Sequence, residues 1–400
     1  MKLQTSGYQS KSPFTDAVLG LFEGVDNALW CYAFATVLFA GAFTVYLPLM
    51  IVILLVGWAL ITTFVATTSA APLHIISLDE QGIVILASIS TLLLAQLHAG
   101  DLSTIGLSTM LAIMSASSVM VAACFFAVGH FNLTRLLELL PYPVICGFMA
   151  GIGWLLLEAG VGIAVDQHIS AALIDSLKDN NSLFKLSLYL AGGFALLAAV
   201  SWFNKAWALP AASIVIFILF YVVTDMLGIS KEELIEYGWL FDITVEQGGA
   251  LDALSGVSLQ YIDGGFLIRV LPQILTIAFL ALLSASMSLS ALMASGYQDL
   301  STSNEMKNVA GGNVLCSLVC SPPNYTDVIA SNVYERFGAS SRWMPLISAV
   351  VLLVVAAIGS GLIAYMPKLL VGATIFLFAF QTLWEWMYEN VRGFQPIDYA

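Results

Sequence analysis

The sequence is poor in charged residues. Only 10% of its 400 residues are Asp, Glu, Lys or Arg, and 60% are hydrophobic, whereas soluble domains contain about 25% charged residues. Apolar stretches of about 20 residues, the length that crosses a bilayer as a helix, follow one another along nearly the whole chain. The composition therefore excludes a large soluble catalytic domain and predicts an all-α protein that crosses the membrane many times.

Positive charge is especially scarce. The chain has 13 Lys and Arg against 26 Asp and Glu, a net charge of −13, which argues against nucleic acids and other anionic polymers as partners. No metal-binding His/Glu spacing, nucleophile elbow or phosphate-binding loop is present, so we predict neither an enzyme nor a cofactor. The cysteines lack the spacing of a metal site or a disulfide framework and are expected to be reduced thiols: Cys31, Cys124, Cys146, Cys316 and Cys320.

The N-terminus lacks the basic segment, short apolar core and small-residue cleavage site of a cleaved signal peptide. Residues 1–15 are therefore expected to form a cytoplasmic tail, and residues 16–400 a transmembrane domain of about twelve spans. The apolar windows place these spans near residues 17–37, 42–66, 72–97, 103–128, 142–164, 184–202, 207–228, 266–296, 305–321, 323–338, 344–365 and 369–388.

The distribution of basic residues modestly favours a cytoplasmic N-terminus in a plasma or inner membrane, because basic residues concentrate in cytoplasmic loops. With that orientation eight of the 13 basic residues lie inside: Lys2, Lys11, Arg135, Lys205, Lys307, Arg336, Arg342 and Arg392.

Two segments interrupt the pattern of continuous helices. They are Thr67–Pro72 and Cys320–Pro323, and each is expected to end with proline at the first turn of a helix, after extended backbone. Non-helical backbone at membrane depth is tolerated only where protein buries it or where it lines a cavity. Two such segments in separate halves predict a binding site between discontinuous helices. The alternative is that the prolines only kink or end helices at the interface.

The first span carries two acids. Glu23, Asp26 and Trp30 are spaced i, i+3 and i+7 and therefore share one helical face. A charge at the bilayer centre costs at least about 2.5 kcal/mol, so each intramembrane acid is a candidate functional residue. Asp26 is predicted to lie in the site, whereas Glu23 is near the start of the span and has a solvated interfacial position as its alternative.

Further acids follow the two interrupted segments. Asp79 and Glu80 are expected about two turns beyond Pro72, and Asp327 one turn beyond Pro323. Asp327 is either a site residue or an ordinary acid favoured by a helix N-terminus.

Other polar residues have two interpretations each. His74 is either a proton relay or a packed, hydrogen-bonded residue of an apolar helix. Ser284 belongs to a run of small residues that indicates close helix packing and that also offers hydroxyls to a substrate. The complete set of predicted substrate-binding residues is Asp26, Trp30, Pro72, Leu73, His74, Asp79, Glu80, Ser284, Asn324, Tyr325, Thr326 and Asp327.

Several stretches resemble one transporter family. Pro141–Gly153 reads PYPVICGFMAGIG and closely resembles the PYPVISGFMSGIG stretch of the sulfate permease (SulP, solute carrier 26) transporters. Asp16–Gly41 has the outline of that family's first helix. Ala71–Leu78 resembles its GPxAxxSL start of the third helix, and Asn304–Pro323 resembles its NREL…GxxN…GGFP passage into the tenth.

The resemblance implies an inverted-repeat (7+7 type) transporter fold with a core and a gate domain. Such proteins work by alternating access, with the substrate between the N-termini of helices three and ten, and homodimers are common among them. Family members continue through two further helices and usually a cytoplasmic STAS domain. We therefore expect this chain to lack the last two helices and the STAS domain.

The chain also departs from the family pattern. Asp79, Glu80 and Asp327 stand where the family usually has uncharged residues, Ser284 replaces a glutamate, and no arginine follows the tenth-helix motif. We therefore predict transport of a cationic or amine solute, such as a basic amino acid or polyamine, with H⁺ or Na⁺ as a possible coupling ion. The alternative is a proton- or sodium-coupled transporter of an inorganic anion such as sulfate or bicarbonate. A third hypothesis is a membrane sensor or scaffold that transports nothing and whose acids are structural, and a channel would share the same fold.

Overall fold

The computed structural model describes residues 13–98, 101–131, 142–165, 180–203, 205, 207–242, 250–294 and 301–389. The expected N-terminal tail lies outside the described residues up to position 12, and the first helix begins at Pro13. Several residues used to predict the orientation or the family also lie outside them: Lys2, Lys11, Arg135, Pro141 and Arg392.

The described part of the chain is mainly helical, and each of the twelve predicted spans contains one principal helix. These helices are α1 (Pro13–Leu38), α2 (Leu47–Thr68), α3 (Glu80–Leu94), α4 (Leu107–Phe131), α5 (Tyr142–Val165), α6 (Asn180–Phe203), α7 (Ala208–Met226), α10 (Leu271–Ala294), α11 (Thr302–Leu318), α12 (Val328–Arg336), α13 (Trp343–Gly359) and α14 (Lys368–Trp384). Two short helices, α8 (Lys231–Glu236) and α9 (Gly264–Arg269), lie between α7 and α10.

Several of these helices have the length and composition of membrane spans. The long apolar stretches among the described residues are Gly41–Thr68, Leu102–Phe131, Ser182–Phe203, Ala208–Met226 and Lys368–Tyr388. Shorter apolar helices are Glu80–Leu94, Met149–Ala164, Leu271–Ala285 and Trp343–Ile358. The long helix α1 has a more polar composition because it carries Asp16, Glu23 and Asp26.

The helices form two packed groups. The largest apolar cluster is built mainly from α1 to α4 together with α10, α11 and α13, and it includes Leu370, Val371 and Ile375 of α14. The remaining contacts of α14 are mainly with α5 and α6. Small residues allow the closest contacts, since a Cβ atom on Gly20 of α1 would lie 2.5 Å from the carbonyl oxygen of Met344 on α13. The two groups correspond to the core and gate domains that the resemblance implies.

A small antiparallel ribbon joins the two halves of the first group. Strand β1 (Ile76–Leu78) pairs with β2 (Asn324–Thr326), with Ser77 opposite Tyr325. The main-chain bonds Asp79 N to Pro323 O, at 3.1 Å, and Asp327 N to Ile75 O, at 3.0 Å, extend the pairing at both ends. Because the strands are antiparallel, the helices that follow them, α3 and α12, leave the ribbon in opposite directions.

The ribbon corrects the predicted helix starts. Pro72 and Pro323 precede strands and do not begin helices, and α3 and α12 begin only at Glu80 and Val328. The chain stays extended beyond each proline because strand pairing satisfies backbone groups that would otherwise be buried without partners. Asp79 and Asp327 are consequently the N-cap residues of α3 and α12, and His74 lies in extended chain, not on a helix.

Candidate functional site

The two faces of the ribbon have different surroundings. Side chains alternate along a strand, so Ser77 and Tyr325 share the half-buried face while Asn324 and Thr326 are buried on the other. The side chain of Asn313 on α11 fixes the buried face: its Oδ1 accepts from Asn324 N at 2.8 Å and its Nδ2 donates to Asn324 O at 2.9 Å. Among the predicted site residues, Asn324 and Thr326 therefore point away from the face that carries Tyr325.

The half-buried face brings two predicted acids together. The Tyr325 hydroxyl donates to Glu80 Oε1 at 3.2 Å, and the Ser77 hydroxyl donates to Asp327 Oδ2 at 2.9 Å. The other oxygen of Asp327 accepts from the main-chain nitrogen of Ala330 at 2.8 Å, which caps α12. Glu80 and Asp327 thus follow opposite strands of the ribbon, contact its half-buried face and lie within electrostatic range of each other.

Helix α1 adds two more carboxylates. Glu23 lies within electrostatic range of both Asp26 and Asp327, and Tyr334 of α12 lies within range of all three. Glu23 is 2% exposed and its carboxylate oxygens are buried without a hydrogen-bond partner, so the alternative of a solvated interfacial position is wrong. The predicted acidic face of α1 therefore points towards the N-terminus of α12, where Asp327 lies.

Trp30 lies one turn beyond Asp26 on the same face of α1, and its side chain interacts with the Asp26 carboxyl group. Its ring packs edge-on against Phe378 of α14, with centroids 5.2 Å apart, and stacks on Phe34 of α1 at 5.6 Å. Trp30 therefore lies at the interface between the two helix groups.

Asp79 is the most deeply buried of the acids. It is 0% exposed, and neither of its carboxylate oxygens has a hydrogen-bond partner. Asp79 packs against the first turn of α3, where a Cβ atom on Gly82 would lie 2.8 Å from its Oδ2. Gln81, which the sequence did not single out, donates to the predicted site residue Ser284 of α10 at 2.9 Å.

The arrangement concentrates carboxyl groups at the N-termini of α3 and α12. We call Glu23, Asp26, Asp79, Glu80 and Asp327 the acid cluster. Within the described ranges, no Lys or Arg forms an ion pair with the first four of these residues. The positive ends of the two helix dipoles face the chain's own carboxylates, because Asp79 and Asp327 occupy the N-cap positions. Chemically, the cluster is suited to a desolvated cation.

The predicted site residues Pro72, Leu73 and His74 lie away from the acid cluster. Pro72 and Leu73 belong to the extended segment before β1, and Leu73 is buried in an apolar cluster with Leu19, Tyr334 and Met344. His74 lies behind the ribbon, where its Nε2 contacts the Thr326 hydroxyl at 3.1 Å.

Comparison with known proteins identifies the family. The family model described as the sulfate permease family matches residues 80–399, which is most of the chain. The chain belongs to the sulfate permease family. The predicted family is thereby confirmed, and the chain is a multi-pass integral membrane protein of that family.

One curated relative is the vacuolar basic amino acid transporter VSB1 of Saccharomyces cerevisiae, which is 21% identical over 289 residues. The match covers 71% of this chain but only 28% of that protein, so the chain spans under a third of the length of the relative.

Solved structures share the fold. The transmembrane domain of a cyanobacterium bicarbonate transporter, BicA, aligns with a TM-score of 0.62 and 18% identity over 96% of this chain and 91% of that one. The murine anion transporter Slc26a9 in its inward-facing state aligns with a TM-score of 0.65 and 14% identity, over 99% and 68% of the two chains. These similarities confirm the predicted transporter fold.

Proposed function

We propose that this protein is a secondary active transporter of a cationic solute that carries an amine or guanidinium group, such as a basic amino acid or a polyamine. The observation that carries the proposal is the acid cluster at the N-termini of α3 and α12. Alternating access would expose this cluster to each side of the membrane in turn. Coupling to H⁺ or Na⁺, assembly as a homodimer, a plasma or inner membrane location and a cytoplasmic N-terminus stay predictions.

Electrostatics favours a cation at this place. Two unit charges about 4 Å apart interact by about 4 kcal/mol at an effective dielectric constant of about 20, so neighbouring carboxylates destabilise one another unless a cation or protons compensate them. Asp79 and Glu23 have buried oxygens without hydrogen-bond partners, and ammonium or guanidinium groups supply donors of the matching charge. The adjacent Tyr325 ring offers a cation–π contact.

The curated relative supports the same substrate class. The yeast protein is named as a transporter of basic amino acids, and the aligned region covers 71% of this chain. We infer that the match and the acid cluster reflect a shared preference for cationic solutes.

An inorganic anion is the second candidate. The fold of a bicarbonate transporter and the meeting of two half-helix N-termini favour it, because such N-termini bind anions through their amides. Against it, Asp327 already accepts from the amide of Ala330 in the first turn of α12, and an anion would lie among five carboxylates.

A ligand screen separates the two candidates. Purified protein would be melted in the presence of arginine, lysine, putrescine and spermidine, and in parallel with sulfate, bicarbonate and chloride, since a bound ligand raises apparent stability by mass action. We expect stabilisation by at least one of the amines and by none of the anions. Stabilisation by an anion alone would overturn the proposal.

A further inference from the structure

A second buried polar group lies behind the ribbon. His74 and Glu305 are 1% and 2% exposed, and His74 Nδ1 lies 3.3 Å from Glu305 Oε2. The same ring nitrogen is 2.9 Å from the Ser69 hydroxyl, and Nε2 is 3.1 Å from the Thr326 hydroxyl. Both ring nitrogens therefore have partners, and the hydroxyl partners are able either to donate or to accept.

The pair is connected to the exposed end of α2. Glu305 lies in the first turn of α11, where its Oε1 accepts from Ala70 N at 3.1 Å and its Oε2 from Asn308 Nδ2 at 3.4 Å. Asn308 also donates to the carbonyl oxygen of Thr68 at 3.3 Å, and Thr68 and Ala70 are exposed. A chain of polar groups thus runs from this surface through Glu305 and His74 to Thr326, the residue before Asp327.

Among the described groups that face His74, the charged one is the carboxylate of Glu305. The segment after α2 presents the Ser69 hydroxyl and β2 presents the Thr326 hydroxyl. From α12, the Ser331 hydroxyl accepts from the main-chain nitrogen of Ile75. Within the part of the chain that the structure describes, the ion-pair partner of Glu305 is His74. A lone buried carboxylate is costly, whereas an imidazolium–carboxylate pair is neutral overall.

We propose that His74 and Glu305 form a proton-binding site that couples proton movement to solute transport. One proton adds to the unprotonated ring nitrogen of neutral His74 and gives an imidazolium whose charge Glu305 balances. Release of that proton restores the neutral ring, and no other bond is made or broken. When His74 is an imidazolium, the Thr326 hydroxyl accepts from Nε2–H; when the ring is neutral, this hydroxyl donates to Nε2. The change links the protonation of His74 to β2, whose last residue, Thr326, directly precedes Asp327.

The proposal rests on the transport function above but not on the charge of the solute. Its test uses proteoliposomes that contain a pH-sensitive dye, in which arginine uptake and the accompanying proton flux are measured together. In His74→Gln and Glu305→Gln we expect arginine exchange to persist and arginine-dependent proton flux to fall to the level of protein-free liposomes. The control His130→Gln, at an exposed ring stacked on Phe126 of α4, should keep the proton-to-arginine ratio of the unaltered protein.

Unchanged proton-to-arginine ratios in both variants would overturn the proposal, as would arginine uptake without proton flux in the unaltered protein. A purely structural role would lower the amount of active protein without changing this ratio.

A solute-independent measurement decides the case in which arginine is not transported. The melting temperatures of the unaltered protein, the two single variants and the double variant, taken at one acidic and one alkaline pH, form a double-mutant cycle. We expect coupling between the two residues at the lower pH and its loss at the higher pH. Equal coupling at both pH values would overturn proton binding at His74. Failure of arginine transport with pH-dependent coupling would instead refute only the proposed substrate.

Discussion

Replacement of Asp327 by Asn separates charge from structure at the centre of the site. Asp327 caps α12 through Ala330 N and accepts from the Ser77 hydroxyl. Asn caps helices about as well as Asp does, and its amide can keep a hydrogen bond with Ser77. The substitution therefore removes one negative charge from the acid cluster while leaving the helix start intact.

The expected loss of affinity follows from the energy of one hydrogen bond between the solute and a charged group. A hydrogen bond to a charged group contributes about 1.5 to 3 kcal/mol. Because about 1.4 kcal/mol corresponds to a tenfold change in affinity, the Kd for arginine should rise about ten- to hundred-fold. Calorimetric titration of arginine into purified protein measures this change.

The matched control is Asp263→Asn. Asp263 also caps a helix, since its Oδ1 accepts from Phe266 N at 2.9 Å at the start of α9, but it is exposed and outside the acid cluster. Asp263→Asn should leave the Kd for arginine unchanged. The melting temperatures of both variants should lie near that of the unaltered protein. An unchanged Kd in Asp327→Asn, or equal losses in the two variants, would refute the reasoning.

Three further predictions concern the support of the site and its surroundings. Asn313→Ala removes both side-chain bonds to the backbone of β2 and should destabilise the protein by about 2 to 4 kcal/mol, seen as earlier thermal unfolding. Gly82→Ala places a Cβ 2.8 Å from Asp79 Oδ2 and should weaken arginine binding in calorimetry with little effect on melting. Hydrogen bonds from the main-chain nitrogen and, to a lesser extent, the side chain of Ser230 lower the pKa of Glu233. The contribution of Glu233 to stability is therefore present above the usual carboxyl pKa and lost as pH falls through the lowered one. Ser230→Ala keeps the main-chain donor, so NMR titration should show the pKa rising only part of the way towards 4.5.

Local patterns in the sequence were sufficient to predict the principal helices and the two segments that interrupt them. Apolar windows located the helices because membrane spans are continuous apolar runs. The segments around Pro72 and Pro323 indicated discontinuous helices because extended backbone within a bilayer needs a special environment. The acids Asp26, Glu80 and Asp327 were singled out by their cost in the membrane, and the structure brings them into one cluster.

Long-range pairing explains what the sequence could not predict. The helix starts at Asp79 and Asp327 depend on strands that are about 250 residues apart in the chain, and a local pattern does not reveal such pairing. The same pairing turns Asn324 and Thr326 to the buried face. The contact of His74 with Glu305 joins two segments that are separated by 231 positions, 305 − 74, so neither residue could be matched with its partner beforehand.

The sign of the transported charge tests the central claim most directly. Proteoliposomes adsorbed on a solid-supported membrane electrode would be exposed to a sudden step of arginine, and in a separate run to sulfate, with the pH equal on both sides. The acid cluster predicts a transient current of positive charge into the liposomes on addition of arginine, reduced in Asp327→Asn, and no current with sulfate. A sulfate current together with no response to arginine would contradict the account.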